Sequence, residues 1–193
     1  LADFWNVPLQ QAHGHDSSMQ AILNSMLVIG TAIGAILAGW ASGKISGLAN
    51  ATRIVAFSST ILVVALVVAS PLVAWAEMVL LFFTGFALGG AILAFPVVDS
   101  ALTPRTHGTG IGMINTVAYI GAAVTNLFVA GLVHSSDVLR TFHAQPAMPG
   151  PADPKVVAEY HVAFIPIIVL TTISIFASLL IRDTSRNEKH DVS

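Results

Sequence analysis

The stretch Ser17–Gly43, SSMQAILNSMLVIGTAIGAILAGWASG, contains no Asp, Glu, Lys or Arg. A helix needs roughly 20 apolar residues to cross a hydrocarbon core about 30 Å thick, and this stretch exceeds that. A helix on the surface of a soluble domain keeps a charged face for water, and none can be drawn here. Four further stretches, residues 54–76, 78–98, 106–136 and 160–181, are equally free of formal charge. The charges are bunched between them. The pattern is that of an all-α integral membrane protein, with lipid as the solvent for most of the chain.

Composition agrees. Hydrophobic residues make up 55% and charged residues 9%, against about 25% charged in an ordinary soluble domain. A net charge of −2 gives no basis for binding nucleic acid. The absence of cysteine removes disulfides, thiolate nucleophiles and Cys-ligated metal sites. An intramembrane enzyme would need a Ser–His pair, paired Asp residues or metal ligands at one depth. The spans contain serines but no mid-span His or Asp, so neither an enzyme nor a cofactor is expected.

Spans are expected at about 19–42, 54–74, 77–98, 108–134 and 161–182, with Pro71 and Glu77 bracketing a short turn. The connection 135–160 holds Pro146, Pro149, Gly150, Pro151 and Pro154, which suits an exposed loop. If the spans alternate, Lys44, Arg53, Arg105, Arg182, Arg186 and Lys189 share one side, and only Arg140 and Lys155 the other. The positive-inside rule then places the tail 183–193 in the cytoplasm and the N-terminus outside. A bacterial plasma membrane is the expected location. Phe4-Trp5-Asn6-Val7-Pro8 reads as the outer end of an earlier helix, with no signal-peptide pattern, so residues 1–193 are expected to be one domain of a larger protein.

The fourth span separates a conduit from a plain anchor. Gly108, Gly112, Asn115, Tyr119, Ala122 and Asn126 recur at steps of four and three and share one helical face. Met113, Val117, Ile120, Val124 and Leu127 form the opposite face. Three stacked hydrogen-bonding side chains are costly in hydrocarbon unless they meet protein or water. The first span divides similarly, with Asn24, Thr31, Ala35, Ala38 and Ser42 on one side. The third contains Gly85, Gly89, Gly90 and Pro96, which permit bending or local unwinding. The second and fifth carry only Ser and Thr as polar residues, whose hydroxyls bond back to their own helix, so both can face lipid. Three inner and two outer helices make a bundle with an interior.

Asp99-Ser100-Ala101-Leu102-Thr103-Pro104-Arg105-Thr106-His107-Gly108-Thr109-Gly110-Ile111-Gly112 resembles the signature that joins helices 10 and 11 of major facilitator superfamily transporters. Asn115, Tyr119 and Gly121 continue the likeness, and Phe4 to Pro8 resembles the outer end of that family's helix 7. The resemblance implies the C-terminal half of such a carrier, with the five spans as helices 8 to 12 of a six-helix half-bundle. It implies a secondary transporter that moves a small organic solute by alternating access, beside a six-helix N-terminal half. The family places helices 8, 10 and 11 around the cavity, the same three chosen above by polarity. Asn24, Thr31, Asn115, Tyr119 and Asn126 are then the expected substrate-pathway residues. A non-transporting scaffold, or a receptor subunit using loop 135–160, is the alternative.

Gating residues are expected at the cytoplasmic ends: Lys44, Asp99 and Arg105. The family's helix 8–9 loop often reads Gly-x-x-x-Asp-Arg-x-Gly-Arg-Arg. Here Gly39-Trp40-Ala41-Ser42-Gly43-Lys44-Ile45-Ser46 has Gly43 in place of the Asp and lacks the Arg pair, so a carboxylate–Arg latch is not expected there. Lys44 can instead meet Asp99. His13, His15 and Asp16 carry metal-binding atoms at short spacing, but exposed loop polarity is the reading preferred, and no metal site is expected.

Overall fold

The computed structural model describes residues 6, 9–10, 13–42, 47–69, 72–100, 102–103, 105–135, 162 and 164–181. In chain order come α1 (Ser17–Ser42), α2 (Leu48–Ala69), α3 (Ala74–Gly89), a 3₁₀ turn (Gly90–Leu93), α4 (Ala94–Asp99), α5 (His107–Ser135) and α6 (Ile165–Leu180). Among the described residues there is no strand. Residues 17–41, 48–69, 74–99 and 107–128 are each long and apolar enough to cross a membrane. The expected fifth span is represented by α6, which is apolar but only 16 residues long. Loop 136–160 and the tail from 182 onward lie outside the described residues.

Asp16 starts α1. Its Oδ1 accepts the Met19 backbone N–H at 2.8 Å and the Ser18 hydroxyl at 3.0 Å, the arrangement of an N-cap. The Met19 N–H chiefly, with the Ser18 hydroxyl, holds this exposed carboxyl below its usual range. Its charge also complements the positive end of the helix.

Glycines decide how the helices meet. Gly30 and Gly34 of α1 face Gly85 and Gly89 of α3, each pair separated by one turn. A Cβ at Gly30 would fall on the Phe82 carbonyl oxygen, and one at Gly34 on that of Phe86. Reciprocally, a Cβ at Gly85 would strike the Leu27 carbonyl, and one at Gly89 the Thr31 carbonyl. The two backbones therefore touch directly. In lipid no hydrophobic force drives helices together, so close van der Waals approach of this kind holds them. Leu23, Leu27, Leu66 and Leu81 form the cluster beside this seam, flanked by Met19, Met78 and Leu80. Beyond the seam, where bending or unwinding was expected, the backbone instead winds more tightly, into the 3₁₀ turn Gly90–Leu93 before α4. Pro96 has no N–H to continue an α-helical ladder there.

The α2–α6 pair is held by polar contacts. Thr60 Oγ1 donates to the Thr171 carbonyl at 3.0 Å, across the helix boundary. Helix α2 begins before its charge-free run and so contains Arg53. The guanidinium donates to the Ser178 carbonyl at 3.4 Å and the Ile181 carbonyl at 3.1 Å, with Asn50 Oδ1 as a further acceptor at 3.1 Å. Arg53 thus satisfies the carbonyl end of α6 and sits at its negative pole. Arg53→Ala is expected to destabilise the detergent-solubilised protein by about 1 kcal/mol, read as a lower melting temperature. Arg53→Lys should recover only part of this, because one ammonium cannot reproduce the planar fork.

Candidate functional site

The expected pathway residues fall into two groups. Asn24 is half-buried on α1, and its Oδ1 accepts a hydrogen bond from Asn6 Nδ2 at 3.2 Å. Asn6 is fully buried and in turn accepts from Gln10 Nε2 at 3.3 Å. Thr31 is half-buried at the α1–α3 seam, and its hydroxyl bonds back to the Leu27 carbonyl at 2.8 Å. Asn115 and Tyr119 are exposed on α5, Tyr119 at 71%, while Asn126 is half-buried. Among the described residues, no hydrogen bond joins these three to another helix. Helix α5 rests against α4 and, more lightly, α6. Both its polar and its apolar face are therefore largely uncovered, with Val117 and Leu127 as open as Tyr119.

Of the expected gating residues, Asp99 and Arg105 are exposed, and Lys44 lies outside the described residues. The partner observed for Asp99 is His107, with Oδ1 and Nδ1 2.5 Å apart. This contact ties the end of α4 to the start of α5. Two apolar crevices lie elsewhere between helices. One of about 390 Å³ is bounded by Gly34, Ile54, Phe83 and Phe86, and one of about 430 Å³ by Thr52, Ser59, Leu88 and Thr171. Neither is lined by an expected pathway residue.

The densest polar constellation is one the sequence reading treated as loop. His13 is 7% exposed and Glu77 fully buried. Glu77 Oε1 lies 2.8 Å from His13 Nδ1, and Oε2 lies 2.8 Å from His15 Nε2, so one carboxylate serves both imidazoles. The expectation of exposed loop polarity for His13 and His15 is therefore corrected. Asp16, grouped with them by spacing, turns away to cap α1.

Local backbone chemistry places the two histidines. The His15 N–H bonds to the Gln10 carbonyl at 3.1 Å, and Gly14 between them adopts a φ of 80°. A left-handed glycine under such a long-reaching bond closes a helical turn in the Schellman manner. The turn swings His15 back beside His13, their rings meeting edge-on at 6.3 Å. Gln20 Nε2 then donates to the His15 carbonyl at 2.6 Å, fastening the loop to α1. Donor atoms from His13, His15 and Glu77 all lie within 4.8 Å of one another.

One signal for this cluster was present in the sequence. Glu77 is the single formal charge between Arg53 and Asp99. A carboxylate so isolated among apolar residues needs a partner, and the nearest titratable candidates lie far away in the chain. The folding of the N-terminal segment onto α3, which supplies the partner, has no local periodicity to announce it.

No curated protein and no solved structure matches the chain. A family model described as Major Facilitator Superfamily matches residues 4–193, nearly the whole length. That match agrees with the apolar spans and with the small-residue and polar stripes. The chain is a multi-pass membrane protein and belongs to the major facilitator superfamily, a family of transporters.

Proposed function

We propose that this chain forms one wall of a secondary transporter that carries a small organic solute by alternating access. The observation that carries the reading is the state of α5. Its face bearing Asn115, Tyr119 and Asn126 is not consumed by packing against the described helices. Polar side chains used only to tie this bundle together would instead be paired within it. A second six-helix half facing this stripe would enclose it, leaving neutral donors and acceptors along a route between the halves. Asn24 and Thr31 are the α1 members of the proposed route, although the described bundle already engages them, Asn24 with Asn6 and Thr31 with the Leu27 carbonyl. The solute is recognised by hydrogen bonding rather than by charge.

In this reading the membrane is a bacterial plasma membrane, with the α1–α2 and α4–α5 connections on the cytoplasmic side. Lys44, Asp99 and Arg105 sit at that gate. The Asp99–His107 contact supports a role for Asp99 in holding the start of α5. Asn115→Ala in the full-length protein, reconstituted in proteoliposomes, is expected to reduce solute flux by roughly tenfold through loss of one buried hydrogen bond. Insertion and folding should be unaffected, since Asn115 supports no neighbour. Unchanged flux would remove Asn115 from the route.

A further inference from the structure

We propose that His13, His15 and Glu77 form a binding site for a divalent transition-metal ion of the zinc class, joining the N-terminal segment to α3. Two imidazole nitrogens and one carboxylate oxygen are a donor set that zinc accepts with a fourth position left for water. Calcium and magnesium, which require shells of oxygen, do not suit it. The ligand atoms are within 4.8 Å of one another. Bonds of about 2.0–2.2 Å in a tetrahedral shell place ligand atoms roughly 3.3–3.6 Å apart, so an ion would spread the 2.8 Å Glu77–imidazole contacts and draw in the wider separations, side-chain shifts of roughly 1 Å.

The carboxylate's surroundings argue for the ion as well. Glu77 is fully buried, and both of its oxygens face imidazole nitrogens, so the three ligand groups are already gathered in one place. A divalent cation between these groups would take a Glu77 oxygen, His13 Nδ1 and His15 Nε2 as ligands, each imidazole in the tautomer that carries its N–H on the other ring nitrogen. The surroundings are already arranged for this. Gly14 sets the turn that brings the two rings together, and Gln20 grips the His15 carbonyl. Supporting contacts of this kind hold metal ligands in place. Access is through His15, whose side chain is 18% exposed while those of His13 and Glu77 are closed off.

The test uses the full-length protein in detergent, stripped with a chelator and titrated with zinc chloride, with magnesium chloride as comparison. The expected result is saturable uptake of one zinc ion per chain and none of magnesium. His15→Gln should weaken zinc binding by more than about tenfold, whereas His107→Gln on α5 should leave it unchanged. X-ray absorption of the zinc-loaded unmutated protein should show two imidazoles in the first shell, a readout that does not depend on any variant folding. Absence of saturable zinc binding, or a shell without imidazole, would overturn the proposal. Because neither measurement involves transport, failure here is distinct from failure of the carrier reading.

Discussion

Gly85→Leu is expected to abolish recovery of folded protein, the largest effect of any single substitution considered. The Leu27 backbone occupies the space that even a Cβ at position 85 would need. No side-chain rotation relieves a clash with backbone, so α1 and α3 would have to separate along the whole seam. Overpacking ordinarily costs about 1–3 kcal/mol, and it costs more where the obstacle cannot move. Gly34→Ala, which adds one methyl against the Phe86 carbonyl, should cost at least about 2 kcal/mol on the same reasoning. Gly39→Ala on the same helix meets nothing within 4 Å and should be within about 1 kcal/mol of the unmutated protein. Monodispersity in detergent and melting temperature are the measurements. A well-folded Gly85→Leu protein would refute backbone contact between these helices.

The second large effect is expected at Glu77. Glu77→Ala removes the shared acceptor of His13 and His15 and leaves both imidazoles facing a gap in a buried place. A buried donor left without its acceptor costs about 1–3 kcal/mol, and the closed-off His13 bears this more fully than the partly exposed His15. Glu77→Gln keeps one carbonyl acceptor and should lose less than the alanine variant. Chelator-treated samples isolate the hydrogen-bond contribution from any bound ion. Equal melting temperatures for Glu77→Ala and the unmutated protein would show that the cluster does not support the fold.

The membrane architecture was legible because lipid imposes a one-dimensional constraint. A run such as Ser17–Gly43 must satisfy its own backbone as a helix, whatever it packs against. The close approach of α1 and α3 was not legible: Gly85 and Gly89 read as places for bending, whereas they admit the α1 backbone. What periodicity could not supply was the pairing between distant segments. Glu77 read as the edge of a turn because its partners lie more than sixty residues upstream. Arg53 read as an orientation charge, although its guanidinium also closes the far end of α6. In both cases the charge lies inside a helix rather than between spans, and its chemistry was set by a segment brought alongside only on folding. The stripe on α5 is the converse case: its periodicity was plain, and none of the described helices covers it.

Direct backbone contact between α1 and α3 also has a consequence for biogenesis. The two helices are separated in the chain by α2, so their seam cannot close until three segments have left the insertion machinery. Until then Gly30 and Gly34 would present bare peptide to acyl chains, a surface that quality-control proteases could recognise. Once closed, the pair has no methyl cushion to shear across. Any relative motion of other helices would then have to leave α1 and α3 together, since neither backbone can slide past the other without a clash.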